Sequence, residues 1–138
     1  MRITLESDYA LRILTELARY DSIIDAKTLS EKTAVTPRFT LKILHKLTGS
    51  FVKSYKGVNG GYKLKEDPKN ITLKNVIELI DGPIAMIRCI GSSESCALNK
   101  DKTSCIYHHI FETISSDVAK KLSAITIYDV LQNNYDLK

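Results

Sequence analysis

Residues 36–65 constrain the fold more than any other part of the chain. They open with Thr36–Pro37, a capping hydroxyl followed by proline at the first helical position, which predicts the start of an α-helix. Two short extended pieces, 51–55 and 62–65, then flank a glycine-rich turn. Asn59–Gly60 within that turn is a strong hairpin signal, because both residues tolerate positive φ. We therefore expect a helix followed directly by a β-hairpin.

The same stretch carries seven basic side chains and no acidic one, although the whole chain has 16 acidic residues and a net charge of only +4. Residues 1–80 carry +5 and residues 81–138 carry −1. An acid-free basic run indicates a polyanionic partner such as nucleic acid. The plainer alternative is a solvated basic surface. The basic residues are Arg38, Lys42, Lys46, Lys53, Lys56, Lys63 and Lys65.

Two helices are expected before this stretch and one after it. Apolar residues at helical spacing predict the first helix near residues 5–20, and Asp25 can cap a second over residues 26–33. The third helix runs to about residue 48. Three short helices and a basic hairpin predict a winged helix-turn-helix, in which the third helix faces DNA and the hairpin is the wing. A fourth short helix begins near Thr72 and stops at Asp81–Gly82–Pro83.

The expected contacts to double-stranded DNA follow from this arrangement. Most of the lysines are interpreted as phosphate contacts without base readout. Phe39 can either pack inward or touch a thymine methyl group, and both interpretations stay open. Tyr62 is expected to anchor the wing. The predicted DNA-binding residues are Thr36, Arg38, Phe39, Lys42, Lys46, Lys56, Asn59, Gly60 and Lys63.

A long helix is predicted from about Cys105 to Ser123, because an apolar stripe repeats every four residues along it: Ile106, Ile110, Ile114, Val118 and Leu122. Such a helix beside a DNA-binding unit is typical of a dimerisation helix in a homodimer that binds two half-sites, although packing within one chain is the alternative. Thr126 and Asp129 have capping-box spacing, so a short final helix is expected. The predicted fold is mostly α, with a DNA-binding unit at 1–82 and a cysteine loop plus dimerisation helix at 83–138.

Three cysteines, Cys89, Cys96 and Cys105, lie outside the DNA-binding part. Their odd number argues against a disulfide framework. The polar segment 91–104 has few residues able to bury apolar surface, so an inorganic centre bound by three thiolates would supply its order. Wide spacing favours an iron–sulfur cluster over structural zinc. His108 or Asp8 could complete the site, Asp8 only if a partner subunit brings it near. The alternative to a cluster is zinc or a thiol redox switch at the same cysteines.

Several classes of protein are not expected. The longest apolar run has four residues, too short for a membrane span, and the acidic N-terminus does not resemble a signal peptide, so we expect a cytoplasmic protein. The chain contains no glycine-rich nucleotide motif and no G-x-S-x-G nucleophile motif, so no enzyme activity is predicted. A small iron–sulfur electron carrier is disfavoured by the acid-free basic stretch.

The opening Ser7–Asp8–Tyr9–Ala10–Leu11–Arg12, the wing 56–64 and the three cysteines ahead of a long helix resemble the Rrf2 family of bacterial regulators, over nearly the whole chain. The resemblance implies a homodimeric transcription factor, expected to be a repressor, whose iron–sulfur cluster (4Fe-4S or 2Fe-2S) controls operator binding. It assigns Cys89, Cys96 and Cys105 as cluster ligands, with His108 as the fourth ligand in some members and Asp8 from the other subunit in nitric-oxide-sensing members.

This sequence departs from that family pattern in two ways. The cysteine spacing is wider than in the cluster-binding members, and Lys56 occupies the wing position where an arginine is expected. Lysine lacks the planar guanidinium fork, so we expect weaker minor-groove reading by this wing.

Overall fold

The computed structural model describes residues 2–92, 96 and 101–134, and the described chain is mostly helical with one small antiparallel sheet. None of the described helices is long and apolar enough to cross a membrane. Short 3-10 turns occupy Pro68–Asn70 and Lys102–Ser104. The main elements are α1 (Leu5–Leu17), α2 (Ala26–Thr33), α3 (Pro37–Leu47), β1 (Val52–Tyr55), β2 (Gly61–Leu64), α4 (Leu73–Asp81), α5 (Ile106–Ser123) and α6 (Ile127–Gln132).

Side-chain caps explain where α1, α2, α3 and α4 begin. The hydroxyls of Thr4, Thr36 and Thr72 and the carboxylate of Asp25 each accept a hydrogen bond from the backbone N–H three residues on. Each bond satisfies a backbone donor that the first helical turn leaves unpaired. The predicted starts of α2, α3 and α4 are confirmed, while α1 ends three residues earlier than expected, at Leu17.

One hydrophobic core lies beneath the three helices and the wing. It is built from one face of each helix, so the helix-turn-helix is held as a rigid unit. Fully burying a leucine or isoleucine side chain contributes about 1.5–3 kcal/mol, so these positions dominate the stability of the unit. Core side chains with no exposed surface are Ala10, Ile13, Leu14, Leu29, Ile43, Leu44, Leu47, Val52, Ile71, Val76 and Ile127.

The wing is tied to the helical unit through Tyr62. Its backbone N–H donates to the Ile24 carbonyl at 2.8 Å, and the Ile24 N–H donates to the Tyr62 carbonyl at 2.9 Å. Ile24 therefore extends the sheet on the outer side of β2, beyond the pairing of β2 with β1. The half-buried Tyr62 side chain packs against the core, as the sequence indicated.

The hairpin is confirmed, but the expected part played by Asn59–Gly60 is wrong. Positive φ occurs instead at Gly57 (101°) and Gly61 (154°), on either side of that pair. The Gly60 N–H donates to the Gly57 carbonyl at 3.0 Å and closes the turn. Five residues, 56–60, connect the strands, so the tip is broader than a two-residue turn.

The end of the chain returns to the winged unit. The Ile127 N–H donates to the Ile71 carbonyl at 2.8 Å, and the Leu73 N–H donates to the Ile125 carbonyl at 2.9 Å. Ile127 then enters the core with no exposed surface. Helix α6 thus packs with the DNA-binding part although it follows α5 in sequence. The predicted division into 1–82 and 83–138 stays a prediction.

Candidate nucleic-acid interface and cysteine segment

Helix α3 presents a continuous outward surface. Its inner face is fixed by the buried residues Thr40, Ile43, Leu44 and Leu47, and the other residues of the helix are exposed. The predicted contacts on α3 share this outer face, together with the apolar Leu41, which is half-exposed. The sequence pattern did not identify Leu41 as a surface residue, because helical periodicity in a helix of only 11 residues does not show which apolar residue faces away from the core. The exposed residues here are Thr36, Arg38, Phe39, Leu41, Lys42, His45 and Lys46.

Phe39 lies at the surface and packs against a residue of α1. Its ring is partly exposed and meets the edge of the Tyr9 ring, with centroids 5.8 Å apart. The Lys42 ammonium lies 5.7 Å from the Phe39 centroid, within cation–π range. Phe39 therefore supports the outer surface of α3 and joins it to α1.

Two lysines of α3 share one carboxylate on α1. The ammonium groups of Lys42 and Lys46 contact different oxygens of Glu6, Lys46 at 2.5 Å. Hydrogen bonds from Lys42 and then Lys46 lower the pKa of Glu6 below its ordinary value, so the carboxylate is charged at neutral pH. No local pattern indicates this pairing, because Glu6 lies 36 residues before Lys42.

The wing tip exposes Lys56, Val58 and Asn59. A side chain at Gly60 would place its Cβ 2.4 Å from the Tyr55 carbonyl oxygen, so only glycine fits there. Val58 is completely exposed, which makes it a second apolar residue that the sequence analysis overlooked. The tip thus offers a cation, an amide and a small apolar group.

Lys63 lies away from the tip. Its ammonium forms an ion pair with Asp21 at 2.8 Å and donates to the Asp21 carbonyl at 3.3 Å. The hydrogen bond between these side chains lowers the pKa of Asp21 and raises the pKa of Lys63. Lys63, which the sequence predicted as a DNA contact, is therefore paired with the loop that follows α1.

Cys89, the first residue of the cysteine segment 89–105, contacts the first turn of the long helix α5. The Cys89 Sγ lies 3.4 Å from the Nδ1 of His108, in the first turn of α5. His108 is buried, and its Nε2 lies 3.9 Å from a carboxylate oxygen of Glu112, one turn further along. A carboxylate behind an imidazole is a common arrangement for a ligating histidine. The neighbouring His109 instead donates to the Thr103 carbonyl at 2.6 Å.

The other predicted ligands are not gathered with this pair. Asp8 forms an ion pair with Arg12 at 2.7 Å on α1. Cys96 and Cys105 are half-buried free thiols. Within the part of the chain that the structure describes, no three histidine, cysteine or acidic residues lie close enough to hold one metal ion. Three thiols and an imidazole are nevertheless donors that suit iron–sulfur or zinc centres.

Helix α5 turns apolar side chains outward. Ile106 is 68% exposed, Ile110 46% and Ile114 41%, and Tyr107 beside them is also exposed. Its inward side carries the buried Ser115, whose hydroxyl accepts the Met86 backbone N–H at 3.0 Å. The predicted apolar stripe is therefore divided. Its first three members face solvent, while Val118 and Leu122 are half-buried.

A helix-turn-helix with a basic outer helix and an attached wing defines a winged-helix DNA-binding regulator. Comparison with known proteins gives the family. The profile of the Rrf2 family, described as iron-dependent transcriptional regulator, matches residues 3–133. The chain belongs to the Rrf2 family, and it is a DNA-binding transcriptional regulator rather than an enzyme.

Relatives support this assignment. Two helix-turn-helix-type regulators of Mycobacterium tuberculosis are 34% identical over 94 residues, which cover 66% of this chain and 58% of theirs. The regulator NsrR of Bacillus licheniformis is 25% identical over 137 residues, covering 96% of this chain and 94% of NsrR. The regulator IscR of Photobacterium profundum is 24% identical, covering 97% of this chain and 77% of IscR.

Solved structures agree on the fold. CymR of B. subtilis, described as a global cysteine regulator, superposes with a TM-score of 0.77 at 22% identity and covers 97% of this chain and 98% of its own. IscR of T. potens gives 0.74 at 18% identity, over 96% of this chain and 88% of its own. These likenesses confirm the predicted winged helix-turn-helix with its long C-terminal helix.

Proposed function

We propose that this Rrf2-family regulator is a homodimeric repressor. Its affinity for a two-fold operator is controlled by an iron–sulfur cluster bound at Cys89, Cys96 and Cys105. It acts on the chromosome, and therefore in the cytoplasm. The observation that carries the proposal is the contact between Cys89 and His108, because it links the cysteine segment to the start of the long helix.

The DNA-binding half of the proposal rests on α3 and the wing. An α-helix with its side chains is about 10–12 Å across, and the B-DNA major groove is about 12 Å wide, so the outer face of α3 can lie in it. Arg38 and the α3 lysines then reach phosphates at the groove edges, and Lys56 and Asn59 reach the neighbouring minor groove. Leu41 is placed to meet a thymine methyl group.

The homodimer is supported by the exposed stripe on α5. Ile106, Ile110 and Ile114 recur every four residues and form one apolar strip along the helix. An apolar strip of this kind on a helix is the usual surface for pairing with a second copy, and two-fold dimers match two-fold operators.

The cluster half rests on donor chemistry. Three free thiols lie between the end of α4 and the start of α5, and a buried imidazole faces one of them. When bound, the cluster would supply an iron centre sensitive to oxygen, nitric oxide or iron scarcity. Among this chain's own residues, Cys89 and His108 hold the segment against α5, and the Glu112 carboxylate lies 3.9 Å from the other ring nitrogen of His108.

We propose His108 as the fourth ligand from the same chain, since it is already beside Cys89. Asp8 is the alternative, supplied by the partner subunit, and it would have to leave Arg12. IscR and NsrR both match nearly this whole chain, so the comparisons do not choose between His108 and Asp8 as the fourth ligand.

The test is iron and sulfide analysis with visible spectra on protein purified without air. The proposal expects iron, sulfide and a brown colour, and Cys96→Ala should lose the visible absorption while the protein stays folded. Changes in the spectrum of His108→Ala but not of Asp8→Ala would assign His108. An unaltered spectrum in Cys96→Ala would remove that thiol from the site.

A second candidate is a zinc site or thiol redox switch at the same cysteines. It is favoured by the thiol–imidazole contact of Cys89 with His108, since a neighbouring imidazolium stabilises a reactive thiolate. The fold neighbour CymR is described as a cysteine regulator. Colourless protein that contains zinc, or no metal, would favour this candidate over the cluster.

A further inference from the structure

Glu6 occupies the lysines that α3 would offer to DNA. Lys42 and Lys46 lie one turn apart on the outer face of α3, and both ammonium groups converge on the Glu6 carboxylate. Each lysine donates to a different carboxylate oxygen, so Glu6 binds both ammonium groups at once, as a DNA phosphate could.

The start of α1 is held in place on its other side. Thr4 caps α1 by accepting the Ser7 N–H at 3.3 Å, and its own N–H donates to the Asp81 carboxylate at 3.1 Å. The Thr4 hydroxyl also donates to Asp81. Because Asp81 is the last residue of α4, the first turn of α1 is fixed between α4 and α3. Glu6 is therefore a positioned group on a rigid element, and its side chain is three-quarters covered.

We propose that Glu6 is a built-in competitor for DNA phosphate, which weakens the binding of α3 to DNA of any sequence. This inference rests on the proposed function, because it requires that α3 faces DNA. A lysine that contacts phosphate must first leave the carboxylate, and the carboxylate left behind repels the phosphate backbone.

Unspecific binding is the most direct measure of this competition. Binding to unrelated sequences depends almost entirely on phosphate contacts, whereas binding to an operator also uses base contacts. Glu6 competes only for phosphate contacts, so we expect it to lower both affinities by a similar factor and to leave the ratio between them unchanged.

The experiment measures binding to a mixed-sequence duplex of about 30 base pairs, which is about three helical turns and does not require the operator to be known. Fluorescence anisotropy would be recorded for wild type and Glu6→Gln between about 50 and 200 mM salt. The matched control is Glu66→Gln, which also raises the net charge by one but alters an exposed residue after β2. Thermal unfolding checks that each variant is folded.

The competition predicts that Glu6→Gln binds about fivefold more tightly at the lower salt concentration, since two exposed ion pairs of modest strength are removed. The Glu66→Gln control should change affinity by less than about twofold, through the general field alone. In a Lys42→Ala/Lys46→Ala background, Glu6→Gln should have no effect, because the groups that it releases are gone.

Three results would overturn the inference: equal gains in the two glutamine variants, weaker binding by Glu6→Gln, or a gain that persists without the two lysines. If wild type and all variants fail to bind any duplex, the proposed function itself is refuted and the inference falls with it. The two failures are therefore distinguishable.

Discussion

Gly61 allows the sharpest test of how the wing is attached. Its φ of 154° is unfavourable for a side chain, and a Cβ at this position would lie 2.5 Å from the Ile24 carbonyl oxygen and 2.7 Å from the Ile24 carbonyl carbon. Both atoms are backbone, and they belong to the bridge that pairs Ile24 with Tyr62. Gly61→Ala must therefore distort the junction between the wing and the helical unit.

The magnitude follows from two contributions. Backbone strain at an unfavourable φ costs about 1–3 kcal/mol, and forcing atoms into a packed site costs about 1–3 kcal/mol more. We expect a total loss of about 3 kcal/mol in the free energy of unfolding. At about 4 °C for each kcal/mol in a chain of this size, the Tm should fall by about 12 °C.

Gly57→Ala is the matched control. Gly57 has φ of 101°, but nothing lies within 4 Å of the position that its Cβ would take. Only the strain contribution applies, so a loss of about 1 kcal/mol and a Tm decrease of about 4 °C are expected. Thermal unfolding followed by circular dichroism measures both. Equal Tm values for the two alanine variants would refute the close approach of Gly61 to Ile24.

Three further predictions concern DNA binding, assembly and pH. Lys42→Ala should reduce the slope of log affinity against log salt by about one unit, measured by anisotropy, whereas Lys121→Ala on α5 should leave it unchanged. Ile110→Asp should shift the protein from dimer to monomer in analytical ultracentrifugation, because it puts a charge on the apolar strip; an unshifted dimer would place the interface elsewhere. Hydrogen bonds from the Thr126 hydroxyl and then from the Thr126 N–H lower the pKa of Asp129 below its ordinary value. The charged Asp129 therefore stabilises the fold above about pH 4, and this contribution is lost as the pH falls through the lowered pKa. In urea unfolding, the free energy of unfolding of Asp129→Asn should therefore fall less at acid pH than that of wild type. Identical plots of the unfolding free energy against pH for the two proteins would contradict this prediction.

The predictable part of the fold is the part governed by local signals. Thr36–Pro37 located the start of α3, Thr126 with Asp129 located α6, and apolar spacing located α1 and α5. These features depend on residues within a few positions of each other, so hydrogen-bond caps and helical periodicity are enough to predict them.

The features that could not be predicted join distant segments. The bridge between Ile24 and Tyr62 and the burial of Ile127 beneath α1 leave no periodic trace in the sequence. The wing turn was misjudged for a related reason. Positive φ falls on Gly61, where the backbone runs against Ile24, a residue remote in sequence.

The candidate site divides in the same way. Periodicity predicted which lysines lie on the outer face of α3, but not that Glu6 pairs with two of them or that Lys63 pairs with Asp21. For the cysteines, spacing suggested a shared centre, and the structure adds the contact of Cys89 with His108. The remaining ligands, including Asp8 from a partner subunit, stay predictions.

Whether the cluster controls DNA binding is tested by comparing affinity before and after the iron is removed. Protein prepared without air would be titrated onto the DNA fragment that it binds most tightly, then stripped of iron with a chelator and titrated again. Cys96→Ala serves as the variant unable to hold the cluster. We expect at least a tenfold change in affinity on stripping, about 1.4 kcal/mol, with Cys96→Ala behaving like stripped protein throughout. Identical affinities for loaded protein, stripped protein and Cys96→Ala would contradict it.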